Sequence, residues 1–125
     1  MYKEIQAKVI QEYKINIVEN SKCWRRMHAH CSDGSRRICK WRPAESYIAL
    51  YSLLHEIGHI ETWKKRMKRA EEESVATLWA NQEIKKLGLK LKRKYCQQYK
   101  DYIAMTYRRG LRRGLKKRIK SKLYI

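Results

Sequence analysis

The chain has 125 residues, which is enough for one domain with a single modest core. Lys and Arg number 31 against 12 Asp and Glu, and the resulting net charge of +19 predicts attraction to polyanions or to acidic protein surfaces. No stretch approaches the roughly 18 apolar residues of a membrane span, and the first residues lack the apolar run of a secretory signal. We therefore expect a cytoplasmic protein, bacterial or phage-borne, whose four cysteines are thiols.

The first elements in chain order are a helix and a short strand. Within residues 2–13, Ile5, Val9 and Ile10 recur at helical spacing and mark one apolar face. The following "INIV" alternates between apolar and polar residues, which is typical of a strand.

A β-hairpin is predicted next. The runs "CWRRMHAHC" and "RRICKW" flank "SDGS", and Asp-Gly between two β-capable runs is a strong hairpin signal. A turn centred on Asp33 and Gly34 would place His28 and His30 on one face of the hairpin and Cys39 opposite His28.

The sequence after the hairpin predicts helices. Ser46 is a candidate N-cap for a helix that begins at Tyr47, and the charged run "KKRMKR" reads as a connection after it. A second helix covers about residues 71–87 and ends before Gly88, and "KRKYCQQYKDYIAMTY" predicts another. We expect an α+β fold, mostly helical, with a small antiparallel sheet or hairpin packed on the first of these helices. Residues 1–107 would form the domain and residues 108–125 a basic C-terminal helix or tail.

The stretch "LYSLLHEIGHIETW" carries a metal-site motif. Residues four apart on a helix share a face, so the imidazoles of His55 and His59 can reach one Zn²⁺. Glu56 lies about 100° round the helix and can accept a proton from water beside the metal, as a general base. The alternative to a metal site is that the two histidines are partly buried polar residues on a core-facing helix. A complete His-Glu-x-x-His within a strongly apolar helix favours the metal site.

The third ligand is expected to be a carboxylate, because no histidine follows His59. Glu73 shares a helix face with Ala76 and Ala80, whose small side chains would let this helix approach the metal helix closely. Four other carboxylates fit less well. Glu61 lies on the metal helix itself, Glu71 and Glu72 turn toward solvent, and Glu83 lies where the second helix approaches its Lys-rich C-terminus. A helix N-terminal carboxylate is the plain alternative for Glu73, and the two roles are compatible.

Together, "LLHEIGHIE" and "EEESVATLWANQEIKKLG" resemble the small zinc peptidases of the ImmA/IrrE type and their phage-encoded relatives. The resemblance covers about residues 37–88, and its second motif consists of Glu73, Ala76, Trp79 and Ala80. It implies a minimal zincin fold with the gluzincin ligand set, and a strand, here "RRICKW", beside the substrate cleft. It also implies that the substrate is a regulatory DNA-binding protein, such as a phage or mobile-element repressor.

The expected function is therefore that of a zinc metallopeptidase. His55, His59 and Glu73 would hold Zn²⁺, Glu56 would act as the general base, and the strand at residues 37–41 would pair with an extended peptide substrate. The alternative is a non-catalytic basic module of zincin fold that binds nucleic acid or an acidic protein. Non-specific nucleic-acid contact would use the basic C-terminal region, which carries many Lys and Arg residues and no acid.

A second zinc site near the hairpin is the weaker of two interpretations. Cys23, His28, His30, Cys31 and Cys39 do not form paired Cys-x-x-Cys spacings, and small buried thiols explain the cysteines better. If the hairpin borders the cleft, His28 or His30 is a candidate donor to a substrate carbonyl.

Overall fold

Helices dominate the part of the chain that the computed structural model describes, residues 1–18, 28–30, 34–39 and 41–112. At the backbone level the order of elements is α1 (Tyr2–Glu12), β1 (Asn16–Val18), β2 (His28–His30), β3 (Arg37–Cys39), α2 (Tyr47–Thr62), α3 (Arg69–Lys86) and α4 (Arg93–Arg112). The predicted α+β class with mostly helical content is confirmed. None of the described helices has the length and apolar content needed to cross a bilayer.

The three strands form a mixed sheet in the order β1-β3-β2. β2 and β3 pair antiparallel with His28 opposite Cys39, the register that the hairpin signal predicts. β1 pairs parallel with β3, with Ile17 opposite Ile38, so the prediction of an antiparallel sheet is wrong. Three alternating residues specify a strand but neither its neighbour nor its direction. β1 lies on the side of β3 away from β2 and runs in the same direction as β3.

The position of β3 also corrects the predicted substrate strand. β3 lies between two partners and its backbone groups are used on both sides. The prediction that a substrate pairs with residues 37–41 is therefore wrong for this strand. Within the described sheet the strand with an edge toward α2 is β2, whose Ala29 donates its backbone N–H to the side chain of Glu56.

Helix α2 is the central element of the core. The hydroxyl of Ser46 accepts a hydrogen bond from the Ala49 N–H at 3.2 Å, so Ser46 is the N-cap that the sequence predicts. Apolar side chains on several sides of α2 are fully buried, namely Leu50, Tyr51, Leu53, Leu54 and Ile57. A helix enclosed on so many sides holds its polar side chains in fixed positions, and this applies to His55, which is 3% exposed.

Helices α2 and α3 meet backbone to backbone at Gly58. A Cβ atom at Gly58 would lie 2.6 Å from the carbonyl oxygen of Ala76 and 3.1 Å from its Cα. Ala76 and Ala80 are completely buried. This burial is expected if Glu73, on the same helix face, points toward α2. The small residues on both helices thus bring the two candidate ligand-bearing helices into direct contact.

Replacement of Gly58 by alanine should destabilise the protein by about 1–3 kcal/mol, because the added methyl group overlaps a backbone carbonyl that cannot move independently of α3. In an unobstructed helix the same change would stabilise by about 1 kcal/mol, so the sign of the effect is diagnostic. Urea unfolding of the two proteins measures it. A stability equal to or above that of the parent would show that α2 and α3 do not touch at this position.

Helix α4 packs along α2, with contacts between aromatic side chains. Tyr95 stacks on Tyr47 with ring centroids 5.5 Å apart, and Tyr99 packs against Tyr51 at 5.3 Å. The turn before α4 contains Gly88 at a φ of +74°, the left-handed conformation expected of a glycine after a helix end. α4 continues through position 107, the predicted domain boundary, to Arg112, and residues 113–125 of the predicted basic tail lie outside the described residues.

Candidate metal centre

Three side chains from α2 and α3 converge on one point. The Nε2 atom of His55 lies 2.9 Å from Oε2 of Glu73 and 3.1 Å from Nε2 of His59, and the third side of this triangle, His59 to Glu73, is 3.3 Å. Within the described residues this is the group of His, Cys and carboxylate side chains whose geometry suits a metal ion. The structure thus brings together the three residues that the sequence predicts as ligands.

The distances within the triangle suit a small tetrahedral ion. Zinc bonds imidazole nitrogen and carboxylate oxygen at about 2.0–2.2 Å, which places neighbouring ligand atoms of a tetrahedron about 3.3–3.6 Å apart. The observed separations of 2.9 and 3.1 Å are slightly shorter and need only a small outward adjustment, and the third, 3.3 Å, lies at the lower limit of this range. Two imidazoles and one carboxylate are also a donor set that zinc favours in catalytic sites.

Thr77 orients the first histidine. Its hydroxyl donates a hydrogen bond to the backbone carbonyl of Glu73 at 2.8 Å, and its oxygen lies 3.1 Å from Nδ1 of His55. Because the hydroxyl proton is already used, the oxygen acts as acceptor and Nδ1 of His55 carries the ring proton. Nε2 of His55 then has its lone pair directed at the cluster, which is the tautomer that a metal ligand requires.

Arg69 holds the other side of the Glu73 carboxylate. Its Nη2 lies 3.0 Å from Oε1 of Glu73, so this oxygen is occupied while Oε2 faces the two histidines. The guanidinium also donates a hydrogen bond to the hydroxyl oxygen of Tyr102 on α4. These contacts fix the rotation of the carboxylate and leave one oxygen available to a metal ion.

Burial and neighbouring charges shift the pKa values of all three cluster residues. Burial lowers the pKa of His55 and keeps it neutral, although the adjacent Glu73 carboxylate acts in the opposite direction. Burial alone would raise the pKa of Glu73, but its contacts with the two histidines outweigh this and lower it. Burial likewise opposes the charging of His59, and the adjacent Glu73 overcomes it and raises the pKa. An ionised carboxylate next to a neutral histidine is what metal coordination requires.

Glu56 stands beside the cluster without belonging to it. Its side chain is partly buried, lines the same cavity as His55 and Glu73, and accepts the backbone N–H of Ala29. Burial raises the pKa of Glu56 to about 7, against the influence of the nearby His59. A carboxyl group with a pKa near neutrality can both accept and release a proton, which is the property of a general acid–base residue.

The cavity next to the cluster has a volume of about 380 Å³ and is open to solvent. One wall is α2, and the opposite wall is α4, which contributes Gln98, Tyr99 and Tyr102. The ring of Tyr99 stacks on the imidazole of His55 with centroids 4.3 Å apart. The hydroxyl oxygen of Tyr99 accepts a hydrogen bond from Ser52. The cavity is therefore large enough for a side chain of a peptide and has aromatic, amide and hydroxyl groups along its walls.

Replacement of Thr77 by valine should weaken zinc binding by about 10–100-fold, because His55 loses the acceptor that fixes its tautomer. Competition with a chromogenic chelator measures the affinity. Thr106→Val is the matched control, since Thr106 is also buried and also donates to the carbonyl four residues earlier, but lies on α4 and has Tyr102 as its partner. Equal losses of zinc in both variants would assign the effect to general destabilisation.

The carboxylates that the sequence argument rejected have other partners in the structure. Glu61 pairs with Arg36, and Glu83 accepts the hydroxyl of Tyr13 at 2.8 Å. Glu71 and Glu72 are partly exposed, and Glu72 lies 3.8 Å from Arg69. None of these four belongs to the metal-site cluster of the described residues.

The hairpin residues can be placed only in part. Cys39 is a buried free thiol, while Cys23, Cys31 and Asp33 lie outside the described residues. His28 and His30 are described at the backbone as members of β2, and the predicted contact of their side chains with a substrate stays a prediction.

Thr77, Arg69 and Tyr99 are among the site residues that were not identified from the sequence. Thr77 could have been found, because it lies four positions after Glu73 and therefore on the same helix face. Arg69 likewise precedes Glu73 by four positions. Tyr99 could not have been found in this way, since the spacing of the aromatic residues on α4 shows a packing face but does not say what that face contacts.

Comparisons of the chain with protein-family models, with curated proteins and with solved structures found no match.

Proposed function

We propose that the protein is a zinc-dependent metallopeptidase. The observation that carries this proposal is the placement of Glu56 in the same cavity as the cluster of His55, His59 and Glu73, but outside the cluster itself. A purely structural metal site has four protein ligands and no use for a separate carboxylate beside it, whereas hydrolysis needs both an open position and a base.

The cluster residues would hold the ion and Glu56 would move the proton. A bound zinc ion would supply Lewis acidity to water and to the peptide carbonyl. Glu56 takes a proton from the attacking water, the new carbon–oxygen bond forms as the carbon–nitrogen bond breaks, and the same proton passes to the leaving amine. The raised pKa of Glu56, about 7, suits both transfers.

In the described sheet, the edge of β2 that faces away from β3 offers a binding site for an extended peptide. The backbone N–H of Ala29 donates to Glu56 of α2 and therefore points away from β3. In a strand the N–H and C=O groups of one residue point to the same side, so the carbonyl of Ala29 also points away from β3. We propose that a substrate adds to this edge of β2 and takes over the Ala29 N–H from Glu56, which would place its backbone alongside Glu56.

The resemblance of the two helix motifs to the ImmA/IrrE-type peptidases extends the proposal to the substrate. A regulatory DNA-binding protein, such as the repressor of a phage or mobile element, is the substrate class that it suggests. This part of the proposal rests on "LLHEIGHIE" and "EEESVATLWANQEIKKLG" and on the cluster that they form.

The test is hydrolysis of a defined peptide mixture. Purified protein is incubated with a pool of synthetic peptides covering all residue types, and mass spectrometry identifies new termini. We expect cleavage that stops with a chelator and returns when zinc is restored. Zinc bound at one ion per chain without any cleavage of peptides or of denatured proteins would contradict the peptidase proposal and favour the non-catalytic alternative.

A further inference from the structure

One end of the molecule carries a concentrated set of exposed cations, which we call the basic end. It combines the connection between α2 and α3 with the last turns of α4. Its members are Lys64, Lys65, Arg66, Lys68, Arg108, Arg109 and Arg112, all of them exposed. The proposed peptidase mechanism uses none of them, and only the last three belong to the basic C-terminal region for which the sequence suggests nucleic-acid contact.

The two segments of the basic end lie on the same side of the protein. Tyr95 contacts Tyr47 and Tyr99 contacts His55, so α4 runs in the same direction as α2. Further along α4, the hydroxyl oxygen of Tyr102 accepts a hydrogen bond from Arg69, the first residue of α3. At 1.5 Å per residue, positions 108–112 lie roughly 9–15 Å further along α4 than Tyr102. They therefore extend past the start of α3, toward the connection that precedes it.

The positive charge of the basic end is not neutralised within the protein. Among the residues that the structure describes, none of its seven cations forms an ion pair. Three neighbouring acids have other partners, since Glu72 and Glu73 pair with Arg69 and Glu61 pairs with Arg36. A cluster of unpaired like charges repels itself and is stabilised when a polyanion displaces its counterions.

Trp63 is an exposed aromatic residue directly before these cations. It follows the last residue of α2, and 41% of its surface is accessible to solvent. Cations beside an exposed flat ring are the combination that binds single-stranded nucleic acid, with phosphates on the cations and a base stacked on the ring. An acidic protein surface would satisfy the cations but would have no particular use for the indole.

We propose that the basic end binds single-stranded nucleic acid, with its cations on the phosphates and Trp63 stacked on an unpaired base. The surface is formed by residues outside the metal centre and does not depend on the proposed peptidase activity. Recognition through phosphates and stacking would show little preference for base sequence.

The charge part of the proposal is tested with the full chain and a fluorescein-labelled 20-nucleotide single-stranded DNA, by anisotropy at several salt concentrations. One variant carries Lys64→Gln, Lys65→Gln, Arg66→Gln and Lys68→Gln. The matched control removes four other exposed charges, Lys3→Gln, Lys8→Gln, Lys85→Gln and Lys90→Gln. We expect the first variant to reduce the slope of log affinity against log salt by up to about 3, at about 0.7 per phosphate contact, and the control to change it little. Equal changes in both would overturn the proposal in favour of a net-charge effect.

The stacking part is tested with Trp63→Leu. We expect about tenfold weaker binding of the single strand and little change for a duplex of the same length, because paired bases offer no free face. Unchanged affinity for the single strand would overturn the assignment. Polyglutamate of equal charge is the competitor, and displacement of the oligonucleotide at equal charge concentration would identify an acidic protein as the partner instead. Circular dichroism confirms that each variant is folded.

Discussion

Glu56→Gln should reduce peptide hydrolysis by at least about a hundredfold and leave the zinc content at one ion per chain. Glutamine has nearly the same shape as glutamate and can still accept the Ala29 N–H, but it cannot take up a proton from water. Since Glu56 is not a member of the cluster, its replacement leaves the ligands in place. Initial rates on a cleaved peptide and metal analysis of the same preparation measure both quantities.

Glu61→Gln serves as the control for this experiment. Glu61 lies on the same helix but pairs with Arg36, so its replacement removes a carboxylate near the site without affecting the cavity. Rates close to the parent are expected. If Glu56→Gln kept most of the activity, another group would have to be the base. If neither protein hydrolysed peptides, the basic module without catalysis would become the better account.

Glu73→Ala should weaken zinc binding by at least about a hundredfold, because two histidines alone hold the ion poorly and Arg69 loses its carboxylate partner. His59→Ala should likewise lose the ion, and full retention of zinc in that variant would remove the basis of the site. Metal content after dialysis against a weak chelator is the measurement.

Glu72→Ala is the matched control for the third ligand. It removes a carboxylate from the neighbouring position of α3 that also lies near Arg69, at 3.8 Å, but does not belong to the cluster with the two histidines. Its zinc affinity should stay within a few-fold of the parent. A larger loss for Glu72→Ala than for Glu73→Ala would show that the wrong carboxylate was identified.

Local sequence signals were sufficient for the elements that build the metal centre. The N-cap at Ser46, the glycine after α3 and the i, i+4 spacing of His55 and His59 each depend on residues within one or two turns. Glu73 was identified in the same way, since helical periodicity with Ala76 fixes its face. The structure places it 2.9 Å from His55.

Features that depend on contacts between distant segments were not accessible from the sequence. β1 pairs with β3 rather than with β2, because strand order is decided by packing across the whole sheet. Tyr99 forms a wall of the cavity because α4 folds back along α2, and its spacing shows only that one face of α4 is apolar. Arg69 reaches Glu73 because α3 begins at Arg69, a boundary that the sequence placed about two residues later.

The contact of Gly58 with Ala76 has a consequence for how the protein exchanges its metal. Since α2 and α3 touch through their backbones, the relative position of the ligands is set when the core forms. The entropy of ordering the ligands is then lost on folding rather than on capture of the ion. Unlike a zinc finger, whose chain folds only with its ion, this protein should fold without zinc and should bind and release the ion as a folded molecule. Its melting temperature should therefore rise gradually with free zinc concentration from an already cooperative transition.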